Sequence, residues 1–211
     1  METNRRSWAL AGPVTSPFAH PGGVLGRLAG RFMLWTNAQS DILGVLRVRP
    51  GERVLEVGYG PGALVRLLAA RTGAGHIHGV DPSPEMRDAA ARHNRGAVRA
   101  GRVTLETGTA EDTGLPGEAV DHVVSVNTVA IWPDLEAGLR ELHRVVRPGG
   151  AVVIAWHGGT SPGRIARKLR LPEDRLARIE SALTSLFTGV ERRRLRNLDV
   201  FRAVRRTRPG G

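Results

Sequence analysis

Apolar residues along this chain follow two rhythms. Short runs rich in β-branched residues recur at Arg53–Gly58, His76–Val80, Arg102–Glu106, Ala119–Val126 and Ala151–Trp156. Between them, apolar positions take helix spacing, as at Leu64, Leu67, Leu68 and Ala69, or at Leu135, Leu139, Leu142 and Val146. The first rhythm predicts strands. The near-continuous run Val120 to Val126 suits a strand covered on both faces, with His122 inside it as a structural residue. The second rhythm predicts helices, one opened by Ser83 as cap with Pro84 in its first turn. Glu136 and Arg140 form an i,i+4 pair on another. Arg147-Pro148-Gly149-Gly150 reads as a turn that stops this helix before the fifth strand.

Strand and helix alternating in this way predict a parallel sheet with helices on both faces. Residues 161–186 read as helix broken at Pro172, and Val190–Arg194 with Asp199–Val204 read as a terminal antiparallel hairpin. Ahead of the first strand, residues 1–19 read as an irregular arm, and Val24–Trp35 and Ala38–Leu46 as helices. The expected fold class is α/β: a doubly wound, mostly parallel, seven-stranded sheet with a C-terminal antiparallel hairpin and an N-terminal helical cap. Residues 1–46 form the arm and cap, and residues 47–211 the main unit.

The chain is organised around Val54-Leu55-Glu56-Val57-Gly58-Tyr59-Gly60-Pro61-Gly62. An apolar run ends in an acid, three glycines alternate, and a helix pattern starts at Ala63. Glycines serve where the backbone turns sharply or meets a ligand closely. A helix start offers unpaired N–H groups to an anion. Glu56 is placed for a cationic or hydroxyl group. Asp81, at the tip of the second strand, suits the two ribose hydroxyls of a nucleoside. The spacing Gly58-x-Gly60-x-x-Ala63 also fits a dinucleotide fingerprint, so these positions alone leave NAD open.

The fuller pattern Glu56-x-Gly58-x-Gly60-x-Gly62 resembles motif I of the class I S-adenosylmethionine (SAM)-dependent methyltransferases. The run Gly79-Val80-Asp81-Pro82-Ser83-Pro84-Glu85-Met86 and the Pro148-Gly149-Gly150 turn add to the likeness. The resemblance implies cofactor contacts from Glu56, Gly58, Tyr59, Gly60, Gly62, Asp81, Pro82 and Met86. It also implies that Thr109, Ala110 and Glu111 flank the adenine, although the family usually has Asp where Thr109 stands. Glu111 reads equally well as a helix-capping acid.

Asn127 and Trp132 leave the C-terminal end of the fourth strand, and His157 that of the fifth, where ligands bind in open α/β sheets. Asn127 is a candidate for both cofactor and acceptor. His157 and His20 are candidate bases, and Trp35, Trp132 and His157 candidate acceptor contacts. The loop after the fourth strand is not the Asp/Asn-Pro-Pro-aromatic motif that related enzymes use on amino groups. The implied activity is methylation of a small, aromatic or polyketide-like secondary metabolite. Non-methylating chemistry at a SAM site (cyclisation or rearrangement) and modification of nucleic acid are the alternatives.

Composition changes the picture at three points. The 211 residues, 41% hydrophobic, suit one domain. They contain no apolar run of the ~18–20 residues a membrane span needs. With a polar Met1–Arg6 start, this makes a soluble cytoplasmic protein without a membrane partner the expectation. There is no cysteine, which excludes a disulfide framework, a thiolate zinc site and a cysteine nucleophile. No metal constellation stands out, so no metal is expected. The net charge of +11 is concentrated in residues 160–211, with 14 Lys/Arg against 5 Asp/Glu, while the remainder has 17 against 15. Such a patch can serve nucleic acid, an acidic carrier or an anionic substrate. Aromatic interleaving is sparse there (Phe187 and Phe201), so a solvated arginine-rich surface is preferred. A small-molecule acceptor is the expected partner, with a homodimer as the one assembly considered.

Overall fold

The computed structural model describes residues 7–9 and 39–207. The strands are β1 (Arg53–Val57), β2 (His76–Asp81), β3 (Val103–Thr107), β4 (Val120–Val126), β5 (Val146–His157), β6 (Thr188–Arg194) and β7 (Leu198–Val204). The helices are α1 (39–46), α2 (Ala63–Arg71), α3 (Pro84–His93), α4 (Arg95–Arg99), α5 (Leu135–Val145), α6 (Arg164–Lys168) and α7 (Glu173–Leu186).

One seven-stranded sheet runs in the order β3-β2-β1-β4-β5-β7-β6. β1 to β5 are parallel, and β7 is antiparallel to both β5 and β6. Side chains alternate across the strands and feed two apolar layers. Leu55, Val123, Ile154 and Phe201 pack with Leu139 of α5 and Ile179 of α7. Val54, Val124 and Val153 pack on the other face with Leu64 and Leu68 of α2 and Ile42 and Leu46 of α1. The doubly wound sheet and the terminal hairpin match the expectation. The expected helix Val24–Trp35 lies outside the described residues, while of the expected second helix Ala38–Leu46 residues 39–46 are helical and pack against the sheet. Among the described residues no helix is long and apolar enough to cross a membrane.

Two local readings change. Pro148-Gly149-Gly150 does not precede β5 but interrupts it. Val146 already pairs with Val120, and regular pairing resumes at His122 with Ala151. The backbone groups of Gly149 and Gly150 bond to Arg205 at the end of β7, so the turn is held from the antiparallel side. The Glu136–Arg140 pair does not form either. Glu136 instead accepts from Arg178 of α7 at 3.0 Å, because a tertiary partner competes with the local one. His122 is structural, bonded to Glu52 at 2.8 Å near the start of β1.

Candidate active site

The glycine turn is set by steric demand at both ends. Gly58 has φ +75° and Gly62 φ +80°, in the left-handed region that side chains disfavour. A Cβ at Gly58 would strike Thr128 of the post-β4 turn, and one at Gly62 would lie 2.6 Å from Asn94 Nδ2. The glycines therefore make room for the protein's own side chains as well as turning the chain. Asp81 secures the turn from β2. Its Oδ2 accepts from Gly60 N–H at 2.9 Å and its Oδ1 from Ser83 N–H at 3.0 Å. Burial pushes its pKa up, and these two N–H bonds oppose the shift. Each oxygen keeps a lone pair for a hydroxyl.

Glu56, the penultimate residue of β1, is 1% exposed, and its Oε2 has no hydrogen-bond partner among the described residues. Burial, with the neighbouring Asp81 charge, holds its pKa well above the usual carboxylate range, and the Val65 N–H opposes this only in part. A buried acid without a counter-charge is costly. It suits a ligand that arrives with a cation.

Across the sheet, Asn127 follows β4 in a left-handed conformation, φ +60°. Its N–H donates to Ala155 O at 2.8 Å, and its Oδ1 is buried without a partner among the described residues. His157 ends the neighbouring strand β5, its ring edge-on to Trp156 with centroids 5.5 Å apart. Glu56, Asp81, Asn127 and His157 thus all stand at or near the C-terminal ends of adjacent parallel strands.

Other candidates have different settings. Tyr59 has its side chain in the core, its hydroxyl on Glu106 O at 3.1 Å, so only its backbone belongs to the turn. Trp132 is core packing rather than an acceptor wall: it is buried, donates Nε1–H to Thr128 Oγ1 at 3.2 Å, and lies against Gly138 of α5. Glu111 behaves as a capping acid, its Oε1 accepting from Asp134 N–H at 3.3 Å, yet its Oε2 is buried and unpartnered among the described residues. Thr109 closes its own loop, accepting from Asp112 N–H at 3.1 Å, while Ala110 is buried in the core. Pro82 is exposed and Met86 half-buried at the start of α3. His20 and Trp35 lie outside the described residues.

Sequence reasoning missed Thr128 and Trp8. Thr128 Oγ1 joins Ser125 Oγ at 2.5 Å and Trp132 Nε1 at 3.2 Å, while its methyl group occupies the space beside Gly58. It links the post-β4 turn to the glycine turn. Trp8 donates Nε1–H to Val129 O at 2.6 Å and N–H to Trp132 O at 3.2 Å, and Ser7 donates to Ala130 O. Arg178 of α7 lies 5.2 Å from the Trp8 ring. Ser7 and Trp8 thereby strap the turn that follows Asn127. No local signal marks either residue: Trp8 bonds Val129, 121 positions away, and Thr128 meets the glycine turn from far along the sequence, at Gly58 and Val57.

Residues 55–154 match the family described as the methyltransferase domain. Over these residues the chain carries a methyltransferase domain. The chain is 38% identical over 120 residues to the uncharacterized methyltransferase YdaC of Bacillus subtilis, covering 57% of this chain and 61% of that protein. It is 31% identical over 110 residues to the ubiquinone/menaquinone biosynthesis C-methyltransferase UbiE of Geotalea daltonii, covering 52% and 47%. The chain thus spans about half to three-fifths of the length of these relatives. A solved structure from Methanococcus maripaludis, assigned as an S-adenosyl-L-methionine-dependent methyltransferase, shares the fold with a TM-score of 0.70. It is 18% identical and covers 89% of this chain and 90% of that one. The cofactor of the family is SAM, and Glu56, buried beside the glycine turn without a counter-charge among the described residues, fits its ammonium group.

Proposed function

We propose that this protein transfers a methyl group from SAM to a small-molecule acceptor of aromatic or polyketide-like character. The observation that carries this reading is Glu56, a buried, unpaired acid beside a glycine turn in a methyltransferase domain. The relative named for ubiquinone and menaquinone biosynthesis supports an aromatic or quinone-like acceptor.

Bound SAM supplies a methyl group already activated on a sulfonium. Glu56 would balance its ammonium, the N–H groups at the start of α2 its carboxylate, and Asp81 its ribose hydroxyls. The loop at Thr109, Ala110 and Glu111 would flank its base. The remaining work is alignment and exclusion of water. Asn127 can orient an acceptor hydroxyl, which would donate to its buried Oδ1. His157 can take the proton that an acceptor hydroxyl gives up as the new bond forms, a step that helps a phenol with pKa near 10.

Calorimetric titration with SAM, S-adenosylhomocysteine and NAD tests the cofactor. Micromolar binding of the first two without NAD is expected, and NAD binding alone would reverse the assignment. With an acceptor in hand, S-adenosylhomocysteine should form in step with methylated product. Turnover without it would transfer the protein to the cyclisation or rearrangement class. His157→Ala should lower turnover about 100-fold with SAM affinity unchanged, and wild-type turnover would reduce His157 to scaffold.

A further inference from the structure

Behind the glycine turn, on the outer side of the helices, α2 and α4 border an open groove of about 310 Å³. Its floor is small and apolar, with Ala69 and Ala70 on one side and Gly96, Ala97 and Ala100 on the other. A Cβ added at Gly96 would meet nothing within 4 Å, so ligand atoms could lie against the backbone there. Arg66, His93 and Arg102 stand around it, all exposed. Among the described residues neither guanidinium forms an ion pair with a carboxylate. Arg102 donates through Nη2 to Ala69 O at 3.0 Å, one of the five donors of its fork. The segment 89–105 carries Arg92, His93, Arg95, Arg99 and Arg102 and no acid. This cationic surface is separate from the basic C-terminal quarter, and a tally by sequence quarter conceals it.

The groove is also the rear wall of the turn. His93 Nδ1 bonds Pro61 O at 2.9 Å, and Asn94 Nδ2 donates to Gly62 O at 3.1 Å. Both residues line the groove. Arginines around an anion are matched by phosphate better than by any neutral group, since the fork makes paired charge-assisted bonds. The volume exceeds what a bare ion fills and reaches the lower end of small-molecule sites.

We propose that this groove is a binding site for a small phosphorylated molecule. Arg66 and Arg102 hold the phosphate, and the alanine floor takes the organic body. This goes beyond methyl transfer and does not depend on the cofactor reading, because the groove shares no residue with the candidate active site.

The test is an amide ¹H–¹⁵N titration of the full chain, without SAM, using phenyl phosphate, inorganic phosphate and phenol as probes. Saturable shifts on Ala69, Ala70, Gly96, Ala97 and Ala100 are expected with phenyl phosphate, weaker binding with inorganic phosphate, and none with phenol. Arg66→Gln should raise the phenyl phosphate Kd about tenfold, while Arg140→Gln, the same charge change at an exposed position of α5, should leave it unaltered. Shifts that never saturate, shifts elsewhere, or equal weakening in both variants would reduce the groove to general charge attraction. Equal affinity for inorganic phosphate would overturn the organic-body assignment. With no SAM in any arm, failure of the cofactor reading leaves the outcome unaffected.

Discussion

Glu56 carries the sharpest conflict between stability and function in the molecule. Its pKa is raised in the fold, so the folded chain keeps a proton that the unfolded chain releases above about pH 4.5. Stability from this group therefore falls as pH rises from 4.5 towards the raised value. Glu56→Gln should remove that slope and stabilise the ligand-free protein near neutral pH by on the order of 1 kcal/mol. It should also abolish SAM binding. Thermal melts across pH with and without SAM check both, and a less stable variant would contradict the unpaired-acid picture. Asp81→Ala is a poorer probe, because Asp81 also holds the amides of Gly60 and Ser83. Thr128→Val would leave Ser125 Oγ and Trp132 Nε1 buried without their partner. A loss of about 2 kcal/mol in urea unfolding is expected, with Thr128→Ser recovering most of it. At this scale the sequence marked Glu56 and Asp81 because each ends an apolar run. It could not mark Thr128, whose partners come from β1, β4 and the turn after it.

Elements here are positioned by polar ties as well as by apolar faces. α5 is tied to the loop before β4 by Glu141, which accepts from Thr113 N–H at 3.0 Å, from Thr113 Oγ1 at 2.6 Å and from Arg144 Nε at 2.7 Å. Burial alone would raise the Glu141 pKa, but these bonds outweigh it and hold it below the usual value. Its contribution is therefore present above the ordinary carboxylate pKa and lost as pH falls through the lower folded value. Glu141→Gln should weaken the protein by about 1–2 kcal/mol at neutral pH and flatten its acid limb. An unchanged acid profile from pH 5 to 3 would show that the tie contributes nothing. Strand and helix order was legible at this scale, since periodicity of 2 or 3.6 is a local property. The interruption of β5 at Pro148-Gly149-Gly150 was not, since its pairing partners lie in β4 and β7.

Across the whole molecule, part of the basic C-terminal quarter is internal counter-charge. Asp199 on β7 is fully buried, with Arg194 Nε at 3.3 Å, Arg170 Nε at 3.9 Å and Arg192 Nη2 at 4.0 Å. Arg192 also pairs with Glu173 at the start of α7. This network joins α7 to the terminal hairpin, so these arginines serve as internal ties where a solvated surface was expected. Asp199→Ala should destabilise by roughly 2 kcal/mol, below the usual cost of breaking a buried pair because Arg170 and Arg194 reach water. A chemical denaturation midpoint unchanged from wild type would return the cluster to a solvated surface.

The sequence by itself determined the element order, the two-faced sheet, the glycine turn with its acids, and the methyltransferase likeness. Each of these is written in residues close together in the chain. Tertiary structure decided which candidates meet. It withdrew Tyr59 and Trp132 into the core, reassigned Glu136 to Arg178, and brought Thr128 and Trp8 to the site. It also gathered Arg66 and Arg102 around one groove. Such choices depend on competition between partners distant in sequence, which only a folded chain can settle.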